Sequence, residues 1–210
     1  VLFSGDWYQF KVTKTGVHRI TRSFLDNLGI DVGSIDPRTI KIYGQGGTSL
    51  PLINEENLFY DPAEIAISVT GEADGRFDSG DLILFYGIAT DTEYVTENDS
   101  FINPYSDDSY YYINVGGANG KRILPQVAPS ETPTVTYTYY QSTKFHEIDQ
   151  RNIGVLGRRW YGERFTLEPE QTFDFEYENL VLDKQATVMV AAAGISDLDT
   201  FFDVAVNEQP

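Results

Sequence analysis

Ile65-Ala66-Ile67-Ser68-Val69-Thr70-Gly71-Glu72-Ala73-Asp74-Gly75-Arg76-Phe77-Asp78-Ser79-Gly80-Asp81-Leu82-Ile83-Leu84-Phe85-Tyr86-Gly87 joins two apolar runs through an acidic, glycine-punctuated loop. The first run alternates, with Ile65, Ile67 and Val69 on one side, which predicts a strand over Glu64 to Thr70. The second, Leu82 to Tyr86, is apolar throughout and reads as a central strand buried on both sides. Two strands separated by glycines and aspartates make this a β protein at its centre.

Upstream, Trp7 to Thr13 alternates: Trp7, Gln9, Lys11 and Thr13 fall on one side and Tyr8, Phe10 and Val12 on the other. Lys14-Thr15-Gly16 turns the chain, and Val17 to Thr21 is expected to return as the second strand of a hairpin. Phe24, Leu25 and Leu28 are at helical spacing. Thr21 is placed to cap a short helix and Gly29 to stop it. Asp36-Pro37 predicts a turn and Thr39 to Tyr43 a strand. The glycines that follow, Gly44, Gly46 and Gly47, lack the Gly-Lys-Ser/Thr and the helix that a phosphate loop needs, so a tight surface loop is expected.

Downstream, Thr90 to Ser109 is polar and acidic and reads as a surface loop, and Tyr110 to Val115 as a strand. Pro125, Pro129 and Pro133 mark a linker. Beyond it Thr134 to Tyr140, Phe165 to Leu167, Thr172 to Tyr177, Ala186 to Ala192 and Thr200 to Val206 are short alternating or apolar stretches with turns between them. That spacing suits a sandwich or jelly roll. The expected fold is mostly β: a mixed β domain with one short helix over residues 1–128, then the start of a jelly-roll-like β-sandwich over 129–210.

Composition bounds the function. Against 15 Lys and Arg stand 32 Asp and Glu, a formal net charge of −17. The basic footprint of a nucleic-acid binder is missing. Without cysteine, the chain has neither disulfides, thiolate metal sites nor a cysteine nucleophile. No apolar run reaches the roughly 18 residues of a membrane span. The first residues do not read as a signal peptide, so the sequence is expected to begin inside a longer precursor.

The acidic loop has the ligand spacing of a calcium loop. With Thr70 at position 1, Glu72 takes position 3, Asp74 position 5, Gly75 position 6, the Arg76 carbonyl position 7, Asp78 position 9 and Asp81 position 12. Carboxylates so close repel one another unless a hard cation neutralises them. Position 1 lacks a carboxylate, Asp81 is shorter than the usual Glu, and the flanks are strands. The alternative is a hairpin in which the aspartates cap their own turn amides. Calcium at these six residues and the capped turn are both carried forward.

Other constellations are less pointed. His18 and His146 have no second histidine at zinc-ligand spacing, and there is no Gly-x-Ser-x-Gly elbow. Tyr110-Tyr111-Tyr112 and Tyr137 to Tyr140 could stack on sugars, but alternation favours cross-strand packing. Gly157-Arg158-Arg159-Trp160-Tyr161-Gly162-Glu163 can place a guanidinium on Trp160 and pair Glu163 with an arginine, either to shape a bend or to contact a neighbouring domain.

Ser4-Gly5-Asp6-Trp7-Tyr8 with Lys14-Thr15-Gly16-Val17, then Asp36-Pro37-Arg38 with Ile40 to Gly44, the loop Gly71 to Gly87, and Gly157 to Glu163 occur in an order and spacing that resembles the N-terminal region of the PorU-like sortases. These serve the type IX secretion system and are similar to the gingipain cysteine peptidases. The resemblance runs over most of the chain. It implies a cell-surface, outer-membrane-associated protein whose peptidase domain, with its Cys–His pair, lies beyond Pro210. It also implies partners in that peptidase domain, in secreted cargo and in secretion-system components. No catalytic residue can be carried over to a chain without cysteine. The expected role is therefore non-catalytic: positioning the peptidase domain, or docking cargo and partners. The competing expectation is a free-standing, calcium-stabilised surface module that binds glycan or protein.

Overall fold

The computed structural model describes residues 2–207 except 48, 52, 57–59, 96–99, 131, 156, 158 and 167, and for 91–95 the backbone alone. The chain divides into two compact units, Val1–Ser130 and Glu131–Pro210.

The first unit is mostly β with one short α-helix. Strands β1 (Trp7–Val12), β3 (Lys41–Tyr43), β4 (Glu64–Ile65) and β9 (Ser109–Asn114) form an antiparallel sheet in the order β1-β9-β3-β4. Strands β2 (Gly16–Thr21), β5 (Ser68–Thr70) and β6 (Leu82–Gly87) form a second, in the order β2-β6-β5. Alternation along each strand turns one set of side chains inward. Phe10, Val12, Ile42, Tyr111 and Ile113 from the first sheet meet Ile20, Ile83 and Phe85 from the second in one buried core. Phe10 meets Phe85 edge-on at 5.6 Å, so the two sheets share an aromatic centre.

The expected hairpin of β1 and β2 does not form. Both strands exist, but β1 pairs with β9 and β2 with β6. Lys14-Thr15-Gly16 is a corner between two sheets, pinned where the Thr15 hydroxyl accepts a hydrogen bond from the Ala89 amide at 3.0 Å. Period-two alternation specifies which face of a strand is buried, and burial here comes from facing sheets rather than from the neighbouring strand. The strand expected over Glu64 to Thr70 likewise splits into β4 and β5. Between them Ile67, fully buried, forms a parallel bridge to Arg122. β6 is central, but it is buried on one side only: Leu82 and Leu84 are half-buried and Tyr86 is exposed. Central strands of antiparallel sheets leave one face toward water.

The helix α1 (Arg22–Asn27) follows its signals. The Thr21 hydroxyl accepts from the Phe24 amide at 3.4 Å, Leu25 is fully buried, and Gly29 takes φ +90° just past the end. Asp36 caps a 3-10 turn, Pro37–Thr39, by accepting from the Arg38 amide at 3.0 Å. The stretch Thr90 to Ser109, expected as a loop, contains an antiparallel pair, β7 (Asp91–Val95) and β8 (Ser100–Ile102). Its many acidic residues mask the strand signal.

The second unit has one short antiparallel pair among its described residues, β10 (Arg151–Asn152) with β11 (Trp160–Tyr161). Among the described residues the stretches 134–140, 172–177, 186–192 and 200–206, expected as strands, form no extended ladder, only an isolated bridge position at Val206, and Phe165 to Leu167 lies partly outside the described residues. No described residue of this unit is buried. The sandwich expected over 129–210 is therefore not confirmed by the pairing among the described residues. Alternation creates apolar rows, but a row becomes a strand only when its backbone finds a hydrogen-bonding neighbour.

Candidate functional site

Two left-handed glycines shape the acidic loop. Gly71 (φ +84°) and Gly75 (φ +78°) flank a 3-10 turn over Glu72–Asp74. At Gly71 a side chain is excluded twice, by that φ and because a Cβ would lie 1.8 Å from Oδ1 of Asp81. The Asp81 carboxylate thus occupies the space above Gly71. Its Oδ2 accepts from the Asp78 amide at 2.7 Å, while the Asp81 amide donates to the Asp78 carbonyl at 3.1 Å. Asp74 Oδ1 accepts from the Arg76 amide at 2.9 Å. Phe77, buried to 1 %, anchors the loop in the core, and its carbonyl accepts from Arg22 at 2.7 Å.

Glu72 is held by a residue from far along the chain. Arg122 Nε donates to Glu72 Oε2 at 2.8 Å and to Oε1 at 3.2 Å, and its Nη2 lies 2.8 Å from Oε2 as an ion pair. The same guanidinium donates to the carbonyls of Pro37 at 2.9 Å, Arg38 at 3.0 Å, Lys121 at 3.1 Å and Ile40 at 3.3 Å. All three nitrogens of the guanidinium fork are engaged, which a lysine could not reproduce. Gly120 lets the backbone come this close: a Cβ there would lie 2.3 Å from the Ile40 carbonyl oxygen. Beside this knot Arg38 binds Asp36 at 2.6 Å, and that hydrogen bond holds the Asp36 carboxyl below the usual carboxylate range.

The structure therefore places the six residues expected to ligate calcium as follows. Thr70 ends β5 and pairs with Leu82. Glu72 is engaged by Arg122. Asp74 and Asp81 cap amides inside the loop. Arg76 and Asp78 stand at its exposed tip. Among the described residues no three His, Asp or Glu side chains come together as a metal-holding group. Calcium would have to compete with these bonds. Exchanging chelator for millimolar calcium while melting is followed decides between the ion and the capped turn, and an unchanged melting temperature would leave the capped turn alone. A rise of several degrees would identify an ion site here.

Sequence reasoning missed Arg122 entirely, because nothing local marks it. Its role depends on a strand bridge 55 residues back, at Ile67. The histidines are engaged in packing and hydrogen bonds. His18 lies 5.3 Å from Phe85 in a stacked arrangement, with Nε2 2.7 Å from the Lys14 carbonyl. His146 Nε2 lies 2.6 Å from Glu163 Oε1, and this bond holds the Glu163 carboxyl below its ordinary range. Glu163, which by its sequence neighbours can pair with an arginine, pairs with His146 among the described residues. In the Gly157 to Glu163 cluster, where Arg158 lies outside the described residues, Asn152 accepts from the Gly157 amide and donates to the Arg159 carbonyl. Tyr111 points into the core, where burial pushes its hydroxyl pKa up, while its flanking tyrosines face outward.

Among the described residues no helix is long and apolar enough to cross a membrane. No protein-family model matches the chain, and no curated protein matches it. Among solved structures it is similar to dimeric latent PorU from Porphyromonas gingivalis, at 24 % identity and a TM-score of 0.36. That similarity covers 53 % of this chain and 9 % of the PorU chain.

Proposed function

We propose that this chain is a non-catalytic N-terminal part of a gingipain-like cysteine peptidase of the type IX secretion system, acting at the cell surface to position the peptidase domain or to dock cargo and secretion partners. The observation that carries this reading is the ordered set of motifs from Ser4 to Glu163 in a chain without a thiol. What those residues do in the structure supports a scaffold role. The Ser4 carbonyl accepts from the Trp7 indole at 2.8 Å. Thr15 fixes the corner between the sheets, Asp36 caps its own turn, the acidic loop is tied to Arg122, and Gly157 is bonded to Asn152. These are contacts that shape a framework rather than activate a nucleophile. On the same reading, the exposed apolar rows of the second unit are faces of a sandwich that other strands cover.

The decisive test is the coding sequence that follows Pro210. A caspase-like domain bearing His and Cys is expected there. A stop codon soon after Pro210 would overturn the proposal, and turnover of peptide substrates by residues 1–210 alone would do so as well.

A further inference from the structure

Strand β2 ends its sheet. In the order β2-β6-β5 it is paired on one side only, and alternate residues of such a strand turn amide and carbonyl away from the partner. Among the described residues no hydrogen bond reaches the backbone of Val17 to Ile20 from the other side. At six residues β2 has twice the length of β5, the opposite edge. A row of unpaired backbone groups of that length is a template for another strand.

The charge around this edge is the reverse of the chain's. Of the 32 acidic residues none falls between Asp6 and Asp26, where Lys11, Lys14, His18, Arg19 and Arg22 lie. Lys11 is bound to Asp108, and Arg22 faces Asp26 at 3.9 Å. Lys14 and Arg19 are exposed and meet no carboxylate among the described residues. Val17 and Arg19 share the outer face of β2, because His18 stacks on Phe85 and Ile20 is buried on the inner one. Val17 is 72 % exposed and stands in register with Tyr86, 58 % exposed. The open edge is thus flanked by an uncovered apolar pair and two unpaired cations.

These side chains select the occupant. A second copy pairing antiparallel about Arg19 would set guanidinium against guanidinium, and like charges directly opposite are destabilising. A strand with a carboxylate opposite Arg19 and an apolar residue opposite Val17 would meet the opposite charge and extend the Val17–Tyr86 pair. The free edge of β1 lacks this selectivity, since its outward cation, Lys11, already has Asp108.

We propose that the free edge of β2 accepts an acidic, extended segment of a partner protein as an added strand. Main-chain bonds supply the pairing, and Arg19 and Lys14 the selectivity. The inference rests on the docking role proposed above, to which it adds a surface and a partner chemistry.

The test uses residues 1–210 and three synthetic nonapeptides: one alternating valine with glutamate, its valine–lysine counterpart, and the glutamate peptide with a central proline. Calorimetry reads binding, and amide hydrogen exchange followed by NMR locates it. The glutamate peptide is expected to bind about tenfold tighter than the lysine peptide, to slow exchange in β2 and not in β1, and to lose both effects with proline. Attraction to the net charge of −17 alone would give the opposite order. Lys14→Glu with Arg19→Glu, both at exposed positions, should reverse the preference, and Lys14→Gln with Arg19→Gln should abolish it. Equal or tighter binding of the lysine peptide, protection outside β2, or no binding at millimolar peptide would overturn the proposal. In the last case Lys14 and Arg19 only guard the edge against other strands. None of these results bears on what is encoded after Pro210, so the two proposals fail separately.

Discussion

Replacing Arg122 with alanine is expected to destabilise the first unit by about 3 kcal/mol or more, the range seen when one partner of a substantially buried ion pair is removed. The loss has two parts. Glu72, three-quarters buried, is left without its cation. The carbonyls of Pro37, Arg38 and Ile40 lose a charged donor at the same time. Hydrogen bonds to charged groups contribute about 1.5–3 kcal/mol each, and they do not add independently at one guanidinium. Arg122→Lys separates charge from geometry: it keeps the cation but supplies a point donor instead of a planar fork, and should recover less than half of the loss. Urea unfolding followed by Trp7 fluorescence in a Trp160→Phe background reads the first unit alone. A loss below about 1 kcal/mol for the alanine variant would show that the guanidinium is only a surface ion pair.

Phe77→Ala is expected to cost about 3–5 kcal/mol, because a phenyl ring buried to 1 % leaves a cavity that its neighbours cannot collapse into. Phe77→Leu keeps most of the volume and should cost about 1.5 kcal/mol or less. The substitution also cuts the acidic loop loose. With the ring gone, the amides of Asp78 and Arg76, capped by Asp81 and Asp74, should exchange hydrogen faster than those of β6. The same unfolding assay reads the stability, and amide exchange reads the loop. If exchange in the loop is unchanged while global stability falls, Phe77 is core filler and does not hold the turn.

How far the sequence led depends on which interactions are local. Thr21 and Gly29 bracket the helix because caps act within a few residues. β6 shows as an unbroken apolar run and β9 as a tyrosine-rich one. What alternation cannot carry is partnership: Phe10 and Val12 would be buried equally well in a hairpin with β2 or, as happens, in a sheet with β9. The acidic loop illustrates the same limit at the candidate site. The spacing from Thr70 to Asp81 is visible in one dimension and consistent with calcium. That Glu72 already has a cation in Arg122 is visible only once Ile67 and Arg122 lie side by side. In the second unit the alternation of Thr172 to Tyr177 reads as a strand, yet no ladder pairs it among the described residues, since pairing is a property of two segments.

The bridge from Ile67 to Arg122 and the bond from the Ile123 amide to the Ile67 carbonyl, at 2.9 Å, stitch the chain to the first unit immediately before it leaves toward Pro125. A pull on that outgoing segment would load this seam in shear before any tension reached either sheet. The Arg122 side chain, gripping Glu72 and the turn at Pro37, would then serve as the knot at the end of the thread.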